Sequence, residues 1–255
     1  MLPAEARGTV RGLSVYFETD STNQCLIELA RAEDAHAQVC LAEVQTAGRG
    51  RRGRRWLGSM GRDIALSLAW RFNAALEALA GLSLTAGIAV HRALSRLGVD
   101  EGLKLKWPND VLYRQRKLAG VLVEVHGEMG GPCLAVIGIG VNIDLPAGVR
   151  AEVQQPVADL KSALTTVPTR NAIVAALVGE LVAVLREFEA HGFRAFADEW
   201  ARQDAACGRE VDVHLPSGAV RGIALGVTED GALRLEVAGA ERRLHSGEVS
   251  LRFSS

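Results

Sequence analysis

The chain has 255 residues, of which 48% are hydrophobic and 23% charged, the balance of a soluble globular protein. Its formal net charge of −1 argues against a surface built as a whole to bind nucleic acid. No uninterrupted apolar run reaches the ~18 residues that span a bilayer, and the N-terminus lacks the pattern of a secretory signal. We therefore expect a cytoplasmic protein with no membrane partner.

The first half of the chain predicts alternating strands and helices. Residues 13–18 alternate apolar and polar side chains like a strand, and Ser21 or Thr22 precedes a helical spacing that runs to Ala30. A longer helix is predicted over 76–97. Further strands are predicted over 39–44, 63–72, 103–107, 111–113, 117–126 and 133–143.

The second half predicts a long helix over 172–190, a helix that ends near Asp204, and then a change of character. Short strands separated by Pro-Ser-Gly, Glu-Asp-Gly and Ser-Gly turns follow at 210–215, 219–227, 233–237, 241–245 and 249–253. Five short strands predict a small β-barrel. We predict an α+β protein: a mixed sheet flanked by helices in residues 1–206, and a barrel in 207–255.

The cysteines give no sign of a metal site or a disulfide framework. Cys25, Cys40, Cys133 and Cys207 are far apart and form no C-x-x-C pair. We expect them to be small buried hydrophobic residues, and the residues alone assign no metal ligands.

The densest chemical signal is a glycine–arginine loop, residues 48–56, which holds five arginines and three glycines and ends in Trp56. Glycine lets the main chain approach a ligand closely, and arginine matches phosphate and carboxylate with paired donors. The loop is neither a Walker loop nor a dinucleotide-binding turn. Three interpretations remain open at this point: a solvated basic loop, a nucleic-acid patch, or a polyphosphate site.

Lysine is scarce, since only four of the 29 basic residues are lysine, and three of them lie at 104, 106 and 117. A second cluster joins Lys106-Trp107-Pro108-Asn109-Asp110 to Lys117-Leu118-Ala119-Gly120, a predicted strand–turn–strand with polar groups at its tip. A third segment, Gly138-Ile139-Gly140-Val141-Asn142, places a lone amide inside an apolar strand, where it needs hydrogen-bond partners.

Together these segments resemble the biotin–protein ligases. The matching elements follow that family's order and spacing: Asp20-Ser21-Thr22-Asn23, Gln45-Thr46-Ala47-Gly48-Arg49-Gly50-Arg51-Arg52-Gly53, the three segments just described, and a tail over 247–252 that includes Glu248. The resemblance implies a catalytic core like that of class II aminoacyl-tRNA synthetases and biotinyl/lipoyl ligases, with a C-terminal SH3-like barrel. It also favours the polyphosphate interpretation of the loop.

The resemblance further implies an activity and its partners. Similar ligases form biotinyl-5′-AMP and pyrophosphate from biotin and ATP with Mg²⁺. They then transfer biotin to a lysine of a biotin carboxyl carrier protein, such as a subunit of acetyl-CoA carboxylase. Similar ligases often pair through the central sheet, so a homodimer is possible.

Site residues are carried over from the same resemblance. Arg51 and Lys117 are the expected catalytic residues, facing the biotin carboxylate and the α-phosphate, and Asp110 is a candidate to help place Mg²⁺. Biotin contacts are expected from Ser21, Thr22, Asn23, Gln45, Gly48, Arg49, Gly50, Arg51, Lys117 and Gly120. Adenylate contacts are expected from Arg52, Arg54, Trp56, Asn109, Asp110, Asn142 and Arg252.

Two alternatives remain, together with one expected absence. A lipoate ligase shares the reaction type, and a non-catalytic nucleic-acid-binding module would also explain the arginines, although it gives no reason for Lys117 or Asn142. Only about ten residues precede the first predicted strand, too few for a helix-turn-helix domain, so no DNA binding is expected.

Overall fold

A mixed seven-stranded sheet forms the larger part of the protein, in a computed structural model that describes residues 2–127, 131–153, 155–216, 218–245 and 250–253. Its spatial order is β1-β2-β3-β7-β6-β5-β4, with β1 and β2 parallel and every other pair antiparallel. The strands are β1 (Gly12–Thr19), β2 (Gln38–Gln45), β3 (Asp63–Phe72), β4 (Leu103–Lys106), β5 (Asp110–Tyr113), β6 (Arg116–Gly127) and β7 (Cys133–Asn142).

Helices cover both faces of this sheet. The helices are α1 (Ala4–Thr9), α2 (Thr22–Ala32), α3 (Leu82–Arg96), α4 (Ala147–Glu152), α5 (Leu160–Ala163), α6 (Arg170–His191) and α7 (Ala197–Gln203). Because successive strand residues point to opposite faces, Leu66 and Leu68 of β3 join the core beneath α3 and α6, whereas Ala69 joins a smaller core beneath α2. The α2 side leaves part of the sheet open, and the site lies there.

A five-stranded antiparallel sheet forms the C-terminal barrel, in the order β11-β10-β9-β8-β12. Its strands are β8 (Glu210–Leu215), β9 (Gly218–Val227), β10 (Leu233–Val237), β11 (Ala240–Leu244) and β12 (Ser250–Phe253). Buried residues of this sheet, such as Val211 and Leu235, belong to the same continuous core as α3 and α6. The predicted division after residue 206 therefore stays a prediction.

The predicted element types are confirmed, and the main error is the start of the first long helix. Apolar spacing predicted a helix from residue 76, but only a short 3₁₀ turn, Leu76–Leu79, forms there. Gly81 follows with φ +81°, a left-handed conformation that ends any helix before α3 begins at Leu82. Leu76–Arg96 has the length and hydropathy of a membrane-spanning helix, yet it packs against α6 and the sheet and is mostly buried.

The cysteine expectation is only partly right. All four are free, and Cys40 and Cys133 are buried as expected. Cys25 is half-buried and Cys207 is exposed, because Cys207 lies in the turn between α7 and β8 rather than in a core strand. Glu248 of the C-terminal tail lies outside the described residues.

Candidate functional site

A cleft of about 150 Å³ lies on the sheet face opposite α3 and α6. Small residues form its floor, because Ser67 of β3 pairs with Gly138 of β7, and Gly140 pairs with Gly120 of β6. Every predicted site residue except Gly48 lines the cleft: Ser21, Thr22, Asn23, Gln45, Arg49, Gly50, Arg51, Arg52, Arg54, Trp56, Asn109, Asp110, Lys117, Gly120, Asn142 and Arg252. The sheet thus brings together segments that are up to 231 positions apart, Ser21 to Arg252.

A hydrogen-bonded turn closes one end of the cleft. Gln45 Oε1 accepts from the Thr22 backbone N–H at 2.9 Å and from its hydroxyl at 3.2 Å. Ser67 Oγ lies 2.7 Å from Thr22 Oγ1 and 2.6 Å from Asn23 Oδ1. Ser21, Thr22 and Asn23 are each no more than 4% exposed. These donors and acceptors are held in one arrangement before any ligand binds, which suits recognition of a small polar ring.

The glycine–arginine loop, residues 48–56, is a closed hairpin. Gly50 N–H donates to Arg54 O at 2.7 Å, and Trp56 N–H donates to Gly48 O at 2.9 Å. At its tip Arg52 has φ 58°, the left-handed conformation that lets the chain turn sharply. These backbone bonds help to hold five cations beside the cleft.

Trp56 lies flat against the floor. An added Cβ at Gly140 would meet the Trp56 ring at 2.4 Å, so only glycine permits this approach. The indole N–H donates to Asp63 Oδ2 at 3.4 Å, and Lys117 Nζ lies 5.7 Å from the ring centre. Burial raises the pKa of Asp63, against the lowering effect of bonds from Ser59 and Trp56.

A buried charge cluster forms the opposite wall. Lys117 Nζ lies 2.6 Å from Asp110 Oδ1, and Lys106 Nζ lies 3.9 Å from Asp110 Oδ2. Burial by itself raises the pKa of Asp110, but the charges of Lys117 and Lys106 outweigh it and leave that pKa below its ordinary value. Burial lowers the pKa of Lys106 and of Arg51, with Asp110 opposing the change in both. Asp110 therefore holds the Lys117 and Lys106 ammonium groups in a poorly solvated part of the cleft.

The two predicted asparagines are fixed by main-chain carbonyls. Asn109 Nδ2 donates to Val121 O at 2.7 Å. Asn142 Nδ2 donates to Ala158 O at 3.0 Å and to Lys117 O at 3.3 Å. The partners expected for the Asn142 amide donors are thus supplied by the protein itself.

The barrel reaches the cleft through its last strand. Leu251 and Arg252 of β12 line the cleft, and the Phe253 ring lies between Lys106 Nζ at 5.7 Å and Arg209 Cζ at 4.1 Å. Trp107, in the same Lys106–Asp110 segment, also contacts the barrel: its Nε1 donates to Gly231 O of the β9–β10 turn at 3.1 Å. The Lys106–Asp110 segment is therefore held between the larger sheet and the barrel.

No group of three or more His, Cys, Asp or Glu side chains that suits a metal ion occurs among the described residues. Asp110 is the acidic residue that lines the cleft in the described part of the chain, and it is already paired with Lys117 and Lys106. Mg²⁺ commonly binds through one or two carboxylates together with substrate phosphates. Mg²⁺ is therefore best written as part of the nucleotide substrate, and a role for Asp110 in placing it stays a prediction.

Three residues in or beside the cleft were not assigned from the sequence. Lys106 lines the cleft, whereas Ser67 and Glu124 lie behind its lining, and each of the three contacts a predicted site residue. Lys106 and Glu124 stand inside or next to motifs that the sequence singled out. Ser67 lies in a plain apolar strand, and only the pairing of β3 with β7 reveals it.

The cleft is strongly cationic. Its described lining has eight Arg or Lys side chains, namely Arg49, Arg51, Arg52, Arg54, Arg55, Lys106, Lys117 and Arg252. A polar pocket at one end and clustered cations at the other suit a ligand with a small hydrogen-bonding ring and an anionic tail, together with a polyphosphate. The fold and site thus define a phosphate-binding α+β enzyme that brings two anionic substrates together.

Comparisons with known proteins identify the family. The family model described as Biotin/lipoate A/B protein ligase matches residues 15–142, and the one described as Biotin protein ligase C terminal domain matches residues 206–252. The chain is 38% identical over 233 residues to the bifunctional ligase/repressor BirA of Escherichia coli, covering 91% of this chain and 72% of that protein. The chain belongs to the biotin/lipoate A/B protein ligase family, among its biotin protein ligases.

Two further comparisons agree. The biotin–[acetyl-CoA-carboxylase] ligase of Mycobacterium tuberculosis is 36% identical over 246 residues, which cover 94% of this chain and 88% of that protein. The solved structure of a biotin protein ligase from Aquifex aeolicus in complex with biotin and ATP matches with a TM-score of 0.79 and 27% identity. That match covers 96% of this chain and 100% of the other, so it includes both the mixed sheet and the barrel, and the predicted fold class is confirmed.

Proposed function

We propose that this protein is an ATP-dependent biotin–protein ligase. It joins biotin to ATP, giving biotinyl-5′-AMP and pyrophosphate, and then transfers biotin to a lysine ε-amine of a biotin carboxyl carrier protein. The observation that carries the proposal is the two-ended cleft. A preformed polar turn, Ser21–Asn23 with Gln45, faces clustered cations that include Arg51 and Lys117.

In the first step, a carboxylate oxygen of biotin attacks the α-phosphorus of ATP. The bond from that phosphorus to pyrophosphate breaks, and pyrophosphate leaves. Two anions must meet, so the protein's main tasks are charge neutralisation and in-line positioning. Arg51 and Lys117 are assigned to the carboxylate and α-phosphate, and Asp110 keeps Lys117 in place. Arg52, Arg54 and Arg252 are assigned to the phosphate side.

In the second step, the carrier lysine amine attacks the acyl carbonyl, the carbon–oxygen bond to AMP breaks, and an amide forms as the nitrogen loses a proton. The intermediate is a mixed anhydride that water hydrolyses, so the cleft must stay covered until the carrier arrives. Residues 49–52 and 54–56 line the cleft, and we assign the loop they belong to as its cover. Trp56, Asn109 and Asn142 are assigned to the adenylate.

The alternative activity of a lipoate ligase is the main rival, because the family model covers both. Two features favour biotin: a compact ureido ring needs the dense donors and acceptors around Thr22, and the relative at 36% identity is a biotin–[acetyl-CoA-carboxylase] ligase. A nucleic-acid-binding module explains neither the buried Lys117–Asp110 pair nor the polar turn.

The deciding experiment measures pyrophosphate release from Mg·ATP with biotin, with lipoate and with neither. A biotin carrier domain is then added, and its mass is recorded. Biotin-dependent release followed by a mass gain of one biotinyl group supports the proposal. Release with lipoate alone, or no mass gain despite adenylate formation, would contradict it.

Partnership and location complete the proposal. The ligase acts in the cytoplasm on a carboxylase carrier subunit and does not bind DNA specifically, in keeping with the net charge of −1. A homodimer is supported by β1, an edge strand on which Leu13, Val15 and Phe17 are 55%, 63% and 70% exposed. Sedimentation with and without biotin tests the dimer, and titration of DNA at low salt tests the absence of binding.

A further inference from the structure

Glu124 contacts two separate parts of the site. It lies on β6, on the face of the sheet that forms the cleft floor, and its register partner is Val136 of β7. Glu124 Oε2 accepts from Asn23 Nδ2 at 2.7 Å and from an Arg49 guanidinium N–H at 3.2 Å. Asn23 belongs to the polar turn at the start of α2, and Arg49 belongs to the glycine–arginine loop. One carboxylate oxygen therefore joins two segments that the chain keeps 26 positions apart.

The Asn23 amide is held at both ends. Its Oδ1 lies 2.6 Å from Ser67 Oγ, while its Nδ2 donates to Glu124 and, at 3.5 Å, to Leu122 O. The side chain is 3% exposed, and an added Cβ at Gly138 would meet Asn23 Oδ1 at 2.4 Å. Asn23 cannot rotate without breaking these bonds. Its amide therefore serves to fix the turn rather than to hold a ligand by itself.

The network is continuous from the polar turn to the glycine–arginine loop. Gln45 bonds Thr22, Thr22 and Asn23 both contact Ser67, Asn23 bonds Glu124, and Glu124 pairs with Arg49. Ser67 is 0% exposed and the Glu124 side chain is 25% exposed, so the link runs from the sheet interior to the rim. A hydrogen bond between a charged and a neutral group is stronger than a neutral pair, which makes Glu124 the stiffest link.

We propose that Glu124 is a positioning residue that couples the biotin-recognition turn to the glycine–arginine loop. Ligand binding at the Ser21–Asn23 turn then favours the closed loop, because Asn23 and Arg49 share one anchor. Closure retains the adenylate against water. The inference rests on the proposed ligase function, because it assigns a role in biotin binding and adenylate retention.

Two substitutions separate the two arms of the link. Glu124→Gln can keep an oxygen that accepts from Asn23 Nδ2, but it removes the negative charge that pairs with Arg49. Glu124→Ala removes both contacts. We expect Glu124→Ala to weaken biotin binding without ATP about tenfold, the size of one lost hydrogen bond to a charged group. Glu124→Gln should keep biotin binding within about threefold and still lose biotinyl-adenylate about tenfold faster.

Three measurements test this: calorimetry with biotin alone, release of preformed biotinyl-adenylate, and hydrogen exchange over residues 48–56. Arg49→Ala and the double variant Glu124→Gln/Arg49→Ala complete a cycle for the ion-pair arm. If the pair acts as a unit, adenylate release from the double variant should match that from Arg49→Ala alone. Glu241→Ala is the matched control, since it breaks a Glu–Arg pair with Arg234 in the barrel and should leave all three measurements unchanged.

Thermal unfolding identifies variants that fail to fold, and Glu124→Gln, the nearly isosteric change, then decides the question. The proposal is overturned if Glu124→Gln retains the adenylate like the unsubstituted protein. It is also overturned if the effects of Glu124→Gln and Arg49→Ala on the rate of adenylate release multiply in the double variant, as independent effects do. Failure of the ligase function would look different. The unsubstituted protein itself would then release no pyrophosphate with biotin.

Discussion

The Lys117 ammonium lies 2.6 Å from the Asp110 carboxylate, and the two side chains are only 18% and 13% exposed. A pair this poorly solvated is costly to separate and holds its geometry well. Lys117 can therefore face a ligand phosphate without searching rotamers, and Lys106 stands on the other side of the same carboxylate.

Lys117→Ala should slow adenylation severely while the protein still folds. Loss of one preorganised cation removes ~2–4 kcal/mol of transition-state stabilisation. Lys161→Ala is the matched control, since Lys161 is 66% exposed on α5 and pairs with Asp144 away from the cleft. Biotin-dependent pyrophosphate release measures both variants. Near-normal release by Lys117→Ala would remove this lysine from the chemistry.

Gly140→Ala should disturb the nucleotide side of the site. The new methyl group would lie 2.4 Å from the Trp56 ring, so the indole must move or the strand must shift, at a cost of ~1–3 kcal/mol. We expect a higher KM for ATP with little change in the Kd for biotin, because the three atoms nearest the added Cβ all belong to Trp56.

Gly148→Ala is the control for that substitution, because nothing lies within 4 Å of its added Cβ and its φ is not positive. It should leave both constants unchanged. Steady-state kinetics and biotin calorimetry on the two variants decide the matter. An unaltered KM for ATP in Gly140→Ala would show that Trp56 does not serve the nucleotide.

Sequence patterns predicted most of the fold because apolar or alternating runs mark most of its strands and turn residues separate them. The bounds of β3, β8 and β10 were predicted to the residue. The short helices α1, α4 and α5 were missed, since four to six residues are too few to show a helical period. The start of α3 was wrong because one left-handed glycine, Gly81, outweighs apolar spacing.

The site was predicted unevenly for a similar reason. Residues within dense local motifs, such as the loop at 48–56, were assigned from the sequence, and their roles stay predictions. Ser67 and Glu124 were missed because their role depends on strand register. Ser67 reaches Thr22 and Asn23 only because β3 pairs with β7 so that Ser67 lies opposite Gly138. No local pattern in an apolar strand specifies that partner.

Asp63 should give the protein a pH-dependent stability of unusual sign. Burial raises the pKa of Asp63 above its ordinary 3.8, so the folded state favours the protonated acid. Its stabilising contribution is present below pH 3.8 and is lost as the pH rises through the raised pKa. Asp63→Asn should therefore be most destabilising at low pH, and progressively less so toward pH 8, relative to the unsubstituted protein.

Asp34→Asn should change the pH dependence of stability in the opposite direction, and it serves as the control. A backbone hydrogen bond from His36, opposed by burial and aided by Arg71, lowers the pKa of Asp34. Its contribution is present above pH 3.8 and is lost as the pH falls through the lowered pKa. Urea unfolding between pH 3 and pH 8 measures both variants. Parallel pH profiles for Asp63→Asn and the unsubstituted protein would rule out a raised pKa.

One hydrogen bond joins the barrel to the Lys106–Asp110 segment: Trp107 Nε1 donates to Gly231 O at 3.1 Å. Trp107 and Trp200 are each 1% exposed, and in the described part of the chain Trp200 Nε1–H has no acceptor. Trp107→Phe leaves a buried carbonyl without its donor, at a cost of ~1–3 kcal/mol, whereas Trp200→Phe loses no bond.

We therefore expect Trp107→Phe to lower the unfolding free energy and raise the KM for ATP, because Lys106 immediately precedes Trp107 and the barrel carries Arg252 to the cleft. Biotin affinity should stay nearly constant, since the polar turn lies at the other end. Removing all residues after Asp204 would detach the barrel more completely than Trp107→Phe, but it also exposes the core that the barrel shares with α3. Urea unfolding, biotin calorimetry and ATP kinetics on both phenylalanine variants test this. Equal KM values for ATP in the two variants would mean that the barrel covers the sheet without serving the nucleotide. A loss of biotin affinity in Trp107→Phe alone would instead place the barrel's influence at the polar turn.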